Sequence, residues 1–223
     1  MQRSNSPQRV LIAMMIALLL GGCTTVRNWL PESPPDVAEV ETNTDEPVAN
    51  NIAVDRFRQT ALPLQREHYD IIETLEAAVD AQQQASVLAI SEELKNREKQ
   101  PSLVLFAVGE AWLALGESDK AVNSWQQAID INADNYFAHN ALAMMARAEG
   151  DFEQAKLHYN RALSAWPDYA IGYRNRGILF DLYVGDKAAA LNDYIRYKQL
   201  LERQGKSTQQ ADRWIREMQR AIQ

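Results

Sequence analysis

Apolar residues recur at helical spacing along most of this chain. Leu64, Ile71, Ile72, Leu75 and Val79 fall on one stripe, and Val87, Ile90 and Leu94 on a second. Recurrence every three to four residues is the signature of an amphipathic helix. The two stripes predict a helical hairpin from about residue 64 to residue 98, ended by Pro101. At the other end Ala211, Trp214, Ile215, Met218 and Ile222 make one apolar stripe, while Asp212, Arg213, Arg216, Glu217 and Arg220 face away from it. That helix has one face to cover a neighbour and one for water. Gln204-Gly205-Lys206-Ser207 is the break before it, and Ser207 or Thr208 can cap its start. Two intervals depart from the pattern. Val10 to Leu20 is an unbroken apolar run, and residues 24 to about 52 hold Pro31, Pro34, Pro35 and Pro47 among spaced acids.

Between the two flanking pieces the pattern repeats. Gly116-Glu117-Ser118-Asp119-Lys120-Ala121 and Gly150-Asp151-Phe152-Glu153-Gln154-Ala155 stand 34 residues apart. Ala121, Trp125 and Ala128 follow the first, and Ala155, Tyr159 and Ala162 follow the second at the same spacing. Upstream, Val108-Gly109 precedes Trp112 as Leu142-Ala143 precedes Ala146, and Trp166-Pro167 closes the second unit. A third unit begins near Ala170 with Tyr173, Gly177 and Phe180, then Gly185, Ala190, Tyr194 and Tyr197. Gly177 to Gly185 spans eight residues where Gly109 to Gly116 spans seven. One residue is therefore inserted near Leu182-Tyr183-Val184, which predicts an extended or bulged helix there.

These units resemble the tetratricopeptide repeat, a helix–turn–helix of this period. The resemblance implies an all-α fold: a solenoid of about four helical hairpins closed by a C-terminal capping helix. Small residues (Gly109, Ala143, Gly177) would let helices approach, and large aromatics (Trp125, Tyr159, Tyr194) would fill the space between neighbouring hairpins. No hairpin of this kind buries its apolar face alone, so the units must stack. Residues 102–203 are then three repeats and 204–223 the cap. Residues 53–101 are a degenerate repeat or N-terminal cap, lacking the turn glycine and the aromatic.

The N-terminus reads as an address. Arg3 and Arg9 with no acid, the short apolar run, then Gly21 and Gly22 make a secretory signal peptide over residues 1–22. As a helix the run rises only about 16 Å against a bilayer core of about 30 Å. Leu20-Gly21-Gly22-Cys23 holds the chain's single cysteine and resembles the lipobox of bacterial lipoproteins. That resemblance implies that Cys23 is acylated and begins the mature chain. Thr24 rather than aspartate implies the outer membrane, so the expected location is its periplasmic face. Residues 23–52 are then the acylated cysteine and a tether, too poor in large apolar residues to order itself. A flexible chain of that length reaches roughly 30 Å.

Charge narrows the partners. The chain carries 23 basic and 30 acidic side chains, a formal charge of -7. Loss of residues 1–22 removes two arginines and no acid, leaving -9. Nucleic acid demands a basic surface and is not expected as a partner. An acidic chain is not drawn to anionic lipid either, so the lipid anchor has to hold it. One cysteine forbids an internal disulfide.

No catalytic signature is present: no phosphate-cradling glycine loop, no nucleophile elbow, no paired-histidine zinc motif. An enzyme is not expected, nor a cofactor, nor a metal. His139 and His158 fall on the two helices of one hairpin and could approach each other, but further ligands are lacking. Binding remains. In the repeat family the first helix of each hairpin lines a groove for partner peptides. Carried onto this chain, the resemblance points to Phe106 and Glu110 from the first unit. The second contributes Asn140, Met144 and Arg147, and the third Arg174, Asn175, Ile178 and Asp181. Asparagines both donate and accept, as a peptide backbone requires. Arg147 and Arg174 can fork onto a carboxylate. The expected function is an envelope adaptor for a partner protein or peptide segment. Two alternatives are a pilotin-like assembly factor for a secretin and a structural protein that self-associates through its exposed ends.

Overall fold

A computed structural model describes residues 55–97 and 100–223. Cys23, the signal peptide and the tether lie outside the described residues. The fold is all-α, with no strand among the described residues. The helices are α1 (Arg56–Thr60), α2 (Arg66–Asp80), α3 (Gln84–Lys95), α4 (Ser102–Ala114), α5 (Ser118–Ile131), α6 (Tyr136–Glu149) and α7 (Phe152–Ala165). They are followed by α8 (Ala170–Leu179), a π-helical turn (Phe180–Val184), α9 (Lys187–Arg203) and α10 (Gln209–Ile222). None of them is long and apolar enough to cross a membrane.

Helices pair in chain order: α2 with α3, α4 with α5, α6 with α7 and α8 with α9. The pairs join through α2 on α4, α5 on α6 and α7 on α8, and α10 closes on α9. The turns that make these hairpins are spaced by backbone conformation as well as by sequence. Gly116, Gly150 and Gly185 all have φ between 80° and 86°, the left-handed region in which a glycine ends a helix without a Cβ penalty. Thirty-four residues before Gly116, Gln82 takes the same role at φ 55°. The first hairpin thus keeps the 34-residue period although its turn holds no glycine. Gln82 Nε2 donates to the Val79 carbonyl at 3.1 Å.

α4 is apolar nearly all round and its side chains are mostly buried, so it sits inside the stack rather than on it. Trp125, Tyr159 and Tyr194 are buried to 1% exposure or less. Where glycine geometry shows their contacts, the aromatic fills its own hairpin. The Trp125 indole lies against Gly109, and a Cβ at Gly177 would meet Tyr194 Cε1 at 2.7 Å. Glycine opens the narrowest gap where its partner helix runs closest, so these contacts lie within the hairpin, and Tyr194 in addition stacks on Trp214 of α10, the next element, at 5.0 Å.

The inserted residue near 182–184 is absorbed as the π turn at the end of α8. A π turn holds an extra residue without breaking the helix, at the cost of poorer packing. Leu182, Tyr183 and Val184 are accordingly exposed. The main core runs from Phe57 to Leu179. A separate cluster of Ala190, Tyr194 and Met218, with Ile178, Phe180 and Trp214 against it, seals the C-terminal end. Along the α10 stripe Ala211 and Met218 are buried, and Ile222 is exposed. Thr208 stands at the start of α10, but its hydroxyl donates to Asp212 Oδ2 at 2.9 Å rather than capping a backbone N–H.

Candidate functional site

α4, α6 and α8, the first helices of three successive hairpins, share one face. The Phe106 and Phe137 rings join α4 to α6 at 5.6 Å. Asn175 Nδ2 joins α8 to α6 by donating to Asn140 Oδ1 at 2.9 Å. Both asparagine amides also lie 3.5 Å from Met144 Sδ. Arg174 Nε donates to Asn175 Oδ1 at 3.2 Å, which fixes the guanidinium stem against the network. Asn140, Met144 and Asn175 are buried, and burying amides is tolerable because they satisfy one another. Five of the residues expected to line a groove, Asn140, Met144, Arg147, Arg174 and Asn175, thus lie on the α6–α8 part of this face.

The remaining four stand elsewhere or in another role. Phe106 is 4% exposed and spends its ring on Phe137. Glu110 is part-exposed beside the same wall and makes no hydrogen bond or ion pair among the described residues; desolvation pushes its carboxyl up to about 7. Ile178 packs into the C-terminal cluster. Asp181 turns to α9, where Lys187 Nζ donates to Oδ1 at 2.6 Å and Tyr194 Oη to Oδ2 at 3.2 Å. The physical reason for Asp181 is the π turn. Asp181 stands inside that turn, where side chains take directions that an uninterrupted α-helix would not give them.

Arg147 is the unusual member of the group. It is 7% exposed, it forms no ion pair among the described residues, and its Nη1 atom is buried without a hydrogen-bond partner. Its guanidinium lies 5.5 Å from the centre of the Tyr183 ring. The Tyr159 hydroxyl is also buried without a partner. Burial pushes that phenol up to about 12, while the positive charges of Arg147 and Arg174 pull it back and Tyr183 adds to the rise. Tyr169 carries a second buried, unpartnered hydroxyl, raised well above the ordinary tyrosine range by burial first and by Tyr136 and Glu110 next.

Tyr159, Tyr183 and Tyr169 are not legible as site residues from their spacing. Tyr159 sits at a packing position of the repeat, and only coordinates reveal its unmatched hydroxyl. For Tyr183 the inserted residue beside it is the one signal in the sequence.

Two further features flank the face. Phe57 of α1, 4% exposed, sets its ring edge-on to Tyr136 at 5.6 Å and Phe137 at 6.0 Å. Arg56 donates to Asp134 Oδ1 at 2.7 Å, and Asn132 Nδ2 donates to the Thr60 hydroxyl at 3.0 Å. An apolar cleft of about 380 Å³ opens beside this contact, lined among others by Phe57, Leu62, Leu103 and Phe137. His139 and His158 meet at 3.0 Å between their Nδ1 atoms. His139 Nε2–H donates to the Ala133 carbonyl at 3.0 Å, so its Nδ1 accepts from His158. Burial depresses His139 to about 4 and lowers His158 as well. No third carboxylate, thiol or imidazole joins them in a metal-binding group among the described residues.

Comparison with known protein families and with curated proteins finds no match to this chain.

Proposed function

We propose that this protein is a lipid-anchored envelope adaptor of tetratricopeptide-like architecture. Its α4–α6–α8 face takes a peptide segment of a partner protein in the periplasm. The observation that carries the reading is the polar row Asn140–Asn175–Arg174 with Arg147 beside it. The asparagines are held by each other, while the Arg174 and Arg147 guanidiniums have hydrogen-bonding capacity to spare. The buried amides hold the row in place, and the spare N–H groups of the two guanidiniums are what a peptide carbonyl or carboxylate would meet. The 34-residue recurrence of left-handed turns at 82, 116 and 150 supports the architecture. The lipobox at Cys23 supports the anchor, and the tether would let the folded part search for its partner.

The test is in-cell photocrosslinking of the full-length protein from position 110 on the same face, followed by mass spectrometry, beside Arg174→Glu and Cys23→Ala. The expected result is one dominant envelope partner, lost with Arg174→Glu. Cys23→Ala should release the protein from the membrane fraction. Crosslinks only to a second copy would replace the adaptor reading with self-association. A partner indifferent to Arg174→Glu would mean that another face binds.

A further inference from the structure

Arg176 on α8 and Arg147 on α6 meet opposite fates. Arg176 donates from Nε and Nη2 to both oxygens of Asp193, at 2.8 and 2.7 Å, and from Nη1 to Asn160 at 2.6 Å. Every arm of that guanidinium is used, and it ties α8 to α9 and α7. Arg147 is less exposed than the Arg176 side chain, yet it meets no carboxylate among the described residues. A buried charge is ordinarily paired, because leaving water is costly without compensation. Among the described residues the surroundings of Arg147 supply no paired anion. Tyr183 offers a ring face, Tyr159 a hydroxyl without a partner, and Arg174 a second positive charge acting on that same hydroxyl. The acid of the expected groove on the third unit, Asp181, is already held by Lys187 and Tyr194.

The lid over this charge exists because of the inserted residue. The π turn carries Tyr183 back across the hairpin, where its ring meets Phe152 at 5.5 Å as well as the Arg147 guanidinium. Leu182 and Val184 on the same turn stay exposed and give an apolar rim. Single π turns inside helices recur at functional sites because they re-aim a side chain that an α-helix would place elsewhere.

We infer that Arg147, Tyr159 and Tyr183 form an anion subsite that takes a carboxylate of the bound peptide, with Arg174 at its edge. The inference rests on the groove reading above and adds the chemistry of one end of it. Two guanidiniums and a phenolic O–H each offer a hydrogen bond to an oxyanion, and none of them brings a negative charge of its own. The apolar rim suits a hydrophobic side chain next to that carboxylate.

The test uses the full chain in detergent and two small probes, N-acetyl-phenylalanyl-leucine and its C-terminal amide. Arginine side-chain NMR signals report binding, with the Arg147 signal assigned by its loss in Arg147→Met. The acid should shift that signal at concentrations on the order of tenfold below the amide, as a charge-assisted hydrogen bond requires. Tyr159→Phe should weaken the acid severalfold and leave the amide unchanged. An amidated peptide carrying an internal glutamate separates a side-chain carboxylate from a terminal one; a response to either supports the subsite. Arg147→Met without ligand should melt at a higher temperature than the parent, because it removes an uncompensated buried charge. A lower melting temperature, or equal response to acid and amide, overturns the subsite. The crosslink from position 110 then decides the groove separately: it persists if only the subsite is wrong and vanishes if the groove reading is wrong.

Discussion

The first hairpin turn offers the cleanest test of the repeat register. Gln82 holds φ 55° where the next two hairpin turns hold Gly116 at 80° and Gly150 at 86°. An L-residue in the left-handed region costs about 1–2 kcal/mol, part of which is offset by glycine's greater freedom in the unfolded chain. Gln82→Gly also gives up the exposed hydrogen bond to the Val79 carbonyl, worth about 0.5 kcal/mol. The net expectation is a gain of about 0.5 kcal/mol. The reciprocal change, Gly150→Gln, should lose about 1 kcal/mol after the same offset. No atom lies within 4 Å of a Cβ added at Gly150, so that loss is backbone strain and not a clash. Urea unfolding of the full chain, read by helical circular dichroism, gives both midpoints. For a chain of this size each kcal/mol is also about 2–4 °C in melting temperature. The slopes should not change, since neither substitution alters the surface exposed on unfolding. Midpoints moving in the same direction would refute the equivalence of the two turns.

Two other outcomes come from the contacts. His139 titrates near 4 when folded and near 6.5 when unfolded, so the unfolded state takes its proton first as pH falls. The stability that His139 contributes is complete above about pH 6.5 and is lost toward pH 4, by at most roughly 3 kcal/mol. His139→Gln, which keeps a donor for the Ala133 carbonyl, should flatten urea midpoints across that window, and an unchanged slope would exclude the buried pair as its source. Phe57→Ala should undock α1 alone, because a five-residue helix does not persist without its packing. Hydrogen exchange should accelerate at residues 56–61 and stay slow in α6; protection that survives the substitution would show that Arg56 and Thr60 hold the segment by themselves.

The legibility of each feature in the sequence depends on which physical constraint wrote the signal. A helix that must stop and reverse favours a residue at positive φ, so Gly116, Gly150 and Gly185 stand out at once. Gln82 does not, because a local hydrogen bond makes a side chain tolerable there. The extra residue before Gly185 can be counted, and a π turn is the form it takes. Site residues are legible where the repeat stays regular: Asn140, Met144 and Asn175 meet. Legibility fails at Asp181, where the π turn redirects the side chain, and at Ile178, which the closing C-terminal helices draw into their own cluster. Phe57 is invisible for a different reason. Its partners lie about eighty residues away, and five residues are too few to show a periodicity.

The placement of charge separates scaffold from site more sharply than burial does. Arg56, Arg176 and Arg196 each end on a carboxylate and join elements distant in sequence. They behave as arginines that hold a stack together. Arg147 and Arg174 end on no carboxylate among the described residues, and both lie on the face that the repeat pattern singles out. Glu110, on α4 across that face, is the acid counterpart: desolvated and without a paired cation among the described residues. An acid lacking a cation at the α4 end and guanidiniums lacking an anion at the α6–α8 end would neutralise each other if the fold brought them together. Glu110 and Arg174 act on the same Tyr169 hydroxyl without pairing, and a carboxyl raised to about 7 is only partly charged at neutral pH, so the charge of this face is set by the guanidiniums at its α6–α8 end. A peptide bound along it would meet the positive end with its carboxylate. Of the two chain directions open to a segment lying on this face, that polarity selects one.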